Sequence, residues 1–229
     1  PADDGSYLTS LGWFVRQHDD IPNELKSGDG LNELYNRMMD APWKADDLPV
    51  AARWLRSLEE PLQLVSEGAK RSQYFLPLVP PPAEDNQPGL IVSALLPGVQ
   101  MSREVARALI ARAMWKLGEG QTLDAWSDLR TSHRLGRLIA HGPTLIERLV
   151  GIAIENITIQ AELKFLDQVR PTGGVLQIIK RDLAAMPKRG LMADAVDISE
   201  RAMFLNVVQS WAIGRREVIE GLVGNQDDP

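Results

Sequence analysis

Five polar residues in one stretch could do chemistry together: Arg130, His133, Arg134, Arg137 and His141. The steps of four, three and four from Arg130 to Arg134, Arg137 and His141 place those four on one face of a helix, with His133 beside them. Guanidinium forks pair bidentately with carboxylates and phosphates. The strip is therefore a candidate site for a phosphate, a carboxylate or an acidic peptide. The plainer expectation is a face turned to water, or one paired with acids from the N-terminal third. His133 and His141 stand about two helical turns apart, too far to grip one ion from a single helix.

Other chemistries fail on residue type or spacing. The chain has no cysteine, which excludes disulfides, a thiol nucleophile, cysteine-ligated zinc and iron–sulfur clusters. Arg148, Glu155, Thr158 and Glu162 form a polar line through an apolar segment. Carboxylates inside a bundle can hold two metals, but that arrangement needs Glu-x-x-His and the sequence contains none. These residues are expected to pair with neighbouring helices. His18-Asp19-Asp20, followed by Ile21-Pro22, reads as a turn facing solvent. There is no Gly-x-Ser-x-Gly, and Gly118-Glu119-Gly120 lacks the third glycine and the preceding strand of a phosphate loop. No metal or cofactor is expected, and no residue is assigned a catalytic role.

The elements that must position the strip are helices, and the expected class is all-α: a helical bundle or short α-solenoid of about eight helices. Apolar residues recur at helical spacing in residues 31–39, around Trp54 and Leu55, from Pro61 to Ala69, and from Ser102 to Gly118. Asp46-Asp47 can cap the helix that has Pro49 in its first turn. Further helices run over residues 122–139, from Thr144 to about Leu166, from Val175 to Ala185, and from about Asp197 to Val223. The segment after Thr144 is apolar around most of its circumference and belongs in the middle of a bundle. No strand alternation stands out.

The chain has 229 residues, 44% of them hydrophobic, and a net charge of −6. A net acidic chain argues against general nucleic-acid binding. The charge is uneven, since residues 1–60 carry twelve acids against six bases while residues 101–150 carry eight bases against five acids. Five prolines between Phe75 and Pro88 exclude helix there and favour an extended strap. The expected organisation is one domain over residues 1–229, with an acidic helical front at 1–74, a strap at 75–98 and a helical body at 99–229. No window reaches the ~18 apolar residues that span a bilayer. The start at Pro1, without methionine, suggests a removed leader, anchor or tag.

Residues 106–139 resemble one tetratricopeptide repeat, with Ala113, Gly120, Ala125 and Leu129 at the small, turn, small and large apolar positions. Leu109, Lys116 and Arg137 depart from that pattern. A broader resemblance, to a family of bacterial proteins with no assigned activity, rests on several segments. They are Glu60-Pro61-Leu62, Lys70 to Phe75, Ala125-Trp126-Ser127-Asp128-Leu129, His133-Arg134-Leu135, Gly142 to Glu147, and Glu200 to Leu205. This resemblance implies an apolar anchor ahead of Pro1 and the bacterial cell envelope rather than the cytoplasm, and it carries over no catalytic residue.

The function expected from these features is a non-catalytic helical scaffold that holds a protein or peptide partner. The alternative is a receptor or enzyme that takes an anionic small molecule on the Arg/His strip. Self-association is also expected, because the final helix carries Ile198, Leu205, Val208, Trp211, Ile213, Val218 and Leu222 on several sides.

Overall fold

The computed structural model describes residues 10–80, 89–93 and 96–214. Among them the chain is an all-α bundle of nine helices without a strand. Ser10 opens α1 (Leu11–Gln17) by accepting from the Trp13 N–H at 3.3 Å. Ser27 opens α2 (Gly28–Asp40) in the same way, through the Gly30 N–H at 3.1 Å. The front continues with α3 (Pro49–Ser57) and α4 (Glu59–Gly68). The body comprises α5 (Pro97–Gly118), α6 (Thr122–Ile139), α7 (Leu145–Val169) and α8 (Gly173–Ala184). The last helix runs without a break through α9 (Met192–Ala195), a π-turn at Val196–Glu200, and α10 (Arg201–Ala212).

Several element starts differ from the sequence expectation. Asp47 does not cap α3. Its Oδ2 accepts from the Lys44 N–H at 2.9 Å, closing the preceding turn, and Leu48 takes the cap position. Helix α4 begins at Glu59, so Pro61 is its third residue; the first four N–H groups of a helix have no internal partner, and a proline costs no hydrogen bond there. Helix α5 begins at Pro97 rather than Ser102, whose hydroxyl donates to the Gly98 carbonyl at 2.7 Å. The final helix starts at Met192 and α10 closes at Ala212. Val218 and Leu222 lie outside the described residues, as do residues 81–88 of the strap.

Three consecutive helices, α5, α6 and α7, form the centre. Short turns join them, which makes neighbours antiparallel. Gly120 closes the first turn at φ +78°, a left-handed conformation that lets the Gln121 N–H reach back to the Lys116 carbonyl at 2.8 Å. A reciprocal cap opens α7: Thr144 Oγ1 accepts from the Glu147 N–H, and Glu147 Oε2 accepts from the Thr144 N–H at 2.8 Å. Where α6 crosses α7, Gly136 and Gly151 face each other; a Cβ on Gly151 would lie 2.5 Å from the Gly136 carbonyl oxygen. The two backbones come so close only because both residues lack a side chain.

The acidic front packs against this centre, with α2 and α3 on α5 and α4 on α6. One apolar core joins Phe14, Trp54 and Leu55 of the front to Leu109, Trp126 and Phe165 of the body. A smaller cluster, built on Val99, Ile139 and Ile154, receives Tyr74 and Leu76 at the start of the strap, while Phe75 between them points outward. Among the described residues no helix is long and apolar enough to cross a membrane.

Candidate functional site

Arg130, His133, Arg134 and Arg137 sit on α6 and His141 lies two residues past its end, and α7 and α8 cover most of them. Arg130 Nη1 donates to Asp182 Oδ2 at 2.8 Å. The Asp182 side chain, only 6% exposed, also accepts from Trp126 Nε1 at 3.0 Å and from Arg181 Nη2 at 2.9 Å. Burial pushes its pKa upward, but the bonds from Trp126 and Arg181 and the charge of Arg130 outweigh that and hold it below the ordinary 3.8. Arg137 Nε donates to Glu155 Oε1 at 2.9 Å, and its Nη1 to the Pro187 carbonyl at 2.6 Å. Glu155, almost fully buried, meets a second cation on its other oxygen, Arg189 Nε at 2.6 Å. His133 is buried with Nε2 3.0 Å from Glu162 Oε2, so the proton sits on Nε2 when the carboxylate is ionised.

Two members of the strip remain more open. His141 is exposed, and its Nδ1–H donates to the Arg137 carbonyl at 2.7 Å. Arg134 is half-buried, its Nε enclosed without a hydrogen-bond partner, and it forms no ion pair among the described residues. The spacing places four of these side chains on one face, and the plainer expectation was that this face meets water or acids of the front. The acids come instead from α7 and α8, because those helices lie over the strip while the front covers α5 and the opposite flank of α6.

The polar line of α7 is the other half of the same seam. Glu155 meets Arg137, and Glu162 meets His133. Thr158 Oγ1 donates to the Ile154 carbonyl at 2.7 Å and accepts from Ser132 at 2.7 Å. Arg148 Nη1 donates to the Ala140 carbonyl at 3.0 Å. Ser132 and His133, adjacent in sequence, therefore face different partners and form no nucleophile–base pair. The His18-Asp19-Asp20 turn lies elsewhere too: Asp20 accepts from both Nη atoms of Arg53, and His18 Nδ1 lies 2.8 Å from the Phe14 carbonyl. Among the described residues no group of three or more His, Asp or Glu side chains is gathered to hold a metal.

A cleft of about 250 Å³ that the sequence did not reveal opens between α3, α4 and the end of α5. Arg56 stacks over the Trp115 ring at 5.3 Å, and Trp115 Nε1 donates to Glu119 Oε1 at 3.3 Å. Its other cations, Arg112 and Lys116, both close on buried Asp128 at 2.7 and 2.8 Å. The only signal for it was Lys116, standing where the repeat pattern calls for an aromatic. The cleft is a closed charge balance rather than an open anion site.

One prediction follows from the seam. Arg137→Ala leaves buried Glu155 facing Arg189 alone and should cost about 2–3 kcal/mol in urea unfolding. Arg134→Ala removes no ion pair among the described residues and should cost under about 1 kcal/mol. Equal losses in the two variants would contradict the pairing.

No protein family, curated protein or solved structure matches the chain.

Proposed function

We propose that this chain is a non-catalytic helical scaffold that holds a protein partner on the face of its last helix. The observation that carries this reading is a reversal of the usual division of labour between polar and apolar side chains. Most of the charged strip that offered the best chemistry is spent inside the molecule, on Asp182, Glu155 and Glu162. Large apolar side chains stand outside instead: Leu191, Ile198 and Phe204 are each about two-thirds exposed. Exposed apolar side chains of this size, recurring between Leu191 and Ile213, support a contact with another macromolecule. The α5–α6 hairpin, closed by buried Ala113 and Ala125 as in a tetratricopeptide repeat, supports a binding role for the fold.

The test is affinity capture from native extract, with the intact chain and with Val208→Asp as paired baits, followed by rebuilding the complex from purified components. A stoichiometric protein held by the intact chain and lost from the variant is expected. Equal recovery on both baits would refute the reading. A second reading draws on Arg134 and His141, which keep ring or guanidinium nitrogens uncommitted: that end of α6 receives an anionic small molecule. Inorganic phosphate raising the melting temperature of the parent but not of Arg134→Ala would favour it.

A further inference from the structure

We propose that the cleft between α3, α4 and the end of α5 binds a free amino acid with an apolar side chain. This goes beyond the scaffold reading and is independent of it, since no residue of the last helix lines the cleft. Its volume of about 250 Å³ matches about eight waters at roughly 30 Å³ each, room for one amino acid but not for a nucleotide. Small-molecule sites combine an apolar lining with a few convergent polar groups. Buried Leu55 and half-buried Trp115 supply the apolar part here.

The charges say which ligand fits. On the inner side, Arg112 and Lys116 hold buried Asp128 at 2.7 and 2.8 Å. Arg112 spends Nε and Nη2 on that carboxylate, and its Nη1 has no partner among the described residues. Arg56 forms no ion pair among the described residues. Its guanidinium lies 5.3 Å from the centroid of the Trp115 ring, and that indole is itself stacked on Trp43 with centroids 5.7 Å apart. A guanidinium held over an aromatic ring keeps N–H groups free to fork onto a carboxylate.

Two acids stand at the mouth. Glu59, the first residue of α4, is exposed and has no ion pair among the described residues. Glu119 directly follows α5; its Oε1 accepts from the Ala45 N–H at 3.1 Å and from Trp115 Nε1 at 3.3 Å, and its Oε2 has no partner among the described residues. The carboxyl end of a helix is its negative end, which adds to the pull of Glu119 on a cation. A lone anion would meet these two carboxylates, and a lone cation would meet Arg56, Arg112 and Lys116. The cleft therefore suits a small ligand that carries both signs. In an amino acid the carboxylate takes Arg56 and Arg112 Nη1, the ammonium takes Glu59 and Glu119, and the side chain lies against Leu55 and Trp115.

Titration calorimetry of the full chain with L-leucine and L-phenylalanine tests this. The N-acetyl derivative of each removes the positive charge, and the amide of each removes the negative one. Both amino acids should bind, and every derivative should bind at least about 10-fold more weakly, since each loses a charge-assisted contact. Arg56→Ala should weaken the amino acids at least about 10-fold and leave the amides unchanged; Glu59→Gln should weaken them and leave the N-acetyl forms unchanged. Both residues are exposed, so the variants should fold, and far-UV circular dichroism checks it. No heat from either amino acid up to about 10 mM overturns the inference. So does an N-acetyl form that binds as tightly as its amino acid, or an affinity indifferent to Arg56→Ala. Inorganic phosphate that binds where the amino acids do not would overturn it in favour of a plain anion site. None of these results bears on the last helix, so the scaffold reading stands or falls separately on Val208→Asp.

Discussion

Gly151→Val should destabilise the chain by at least about 3 kcal/mol, enough to unfold many domains of this size. The α6–α7 crossing is built on two absent side chains. A Cβ on Gly151 would stand 2.5 Å from the Gly136 carbonyl oxygen and 2.7 Å from Ala140 Cβ, and backbone cannot swing aside as a flexible side chain can. Separating the helices would also pull Arg137 from Glu155, His133 from Glu162 and Ser132 from Thr158, since all three contacts span the same seam. Gly151→Ala is the sharper test because its sign is informative. In an open helix interior glycine to alanine stabilises by up to about 1 kcal/mol; here it should destabilise. Gly174→Ala, near the start of α8 with nothing within 4 Å of the added carbon, should be neutral or slightly stabilising. Urea unfolding of the three variants reads this directly, and a neutral Gly151→Ala would mean that the helices do not meet at these glycines.

Neither glycine stood out in the sequence as a contact. Gly136 was visible as one member of an apolar stripe and Gly151 as an interruption of an apolar run, but a close approach needs two residues, fifteen positions apart, to be known as neighbours. What was legible was local. Gly118, Gly120, Gly142-Pro143 and Pro171 punctuate the chain strongly enough to place α5, α6 and α7 within a few residues at most of their boundaries. Helix α1 was not separated from its surroundings, because seven residues hold fewer than two full turns of periodicity. Pro61 was misplaced by two positions for a related reason: proline fits anywhere in the first turn, so it marks a helix start without fixing it.

The strip on α6 shows the same division between local and distant information. Spacing put Arg130, Arg134 and Arg137 on one face, yet spacing says nothing of what lies opposite. Asp182 is 52 residues from Arg130, Glu155 is 18 from Arg137, and Glu162 is 29 from His133. The excess of acid in the N-terminal third made it the expected source of partners wherever the strip was paired rather than turned to water. Packing chose differently, since a cation buried at a helix crossing needs its counter-charge at that crossing. The outward apolar face of α10 lies between these cases. Its apolar residues were visible in the sequence, while their exposure depended on Ser210 and Asn206 taking the inner side.

Trp126→Ala should cost about 3–5 kcal/mol, and Trp126→Phe less, with a pH dependence of its own. The indole is 2% exposed, sits with its ring centroid 6.0 Å from that of Phe165, and belongs to the core that joins front and body. Truncation to alanine opens a cavity that rigid helices on several sides cannot fill. Phenylalanine keeps much of the volume and removes the Nε1–H that Asp182 Oδ2 accepts, leaving the carboxylate to Arg130 and Arg181. Losing one donor to a buried carboxylate costs about 1–3 kcal/mol at neutral pH. The folded-state pKa of Asp182 is depressed, so its stabilising contribution is complete above the ordinary 3.8 and disappears as pH falls through the lower folded value. Without the indole donor that folded value moves back toward 3.8. The gap between parent and Trp126→Phe should therefore be constant from neutral pH down to about 5 and should narrow as pH falls below 3.8, closing under the lower folded value, where the carboxyl is protonated in both folded and unfolded chains. Urea midpoints at several pH values measure that gap, and Asp182→Asn, which has no carboxyl to titrate, should abolish its narrowing. If the gap stays the same at every pH, the tryptophan acts through packing alone and the Nε1–H contributes nothing to the charge on Asp182.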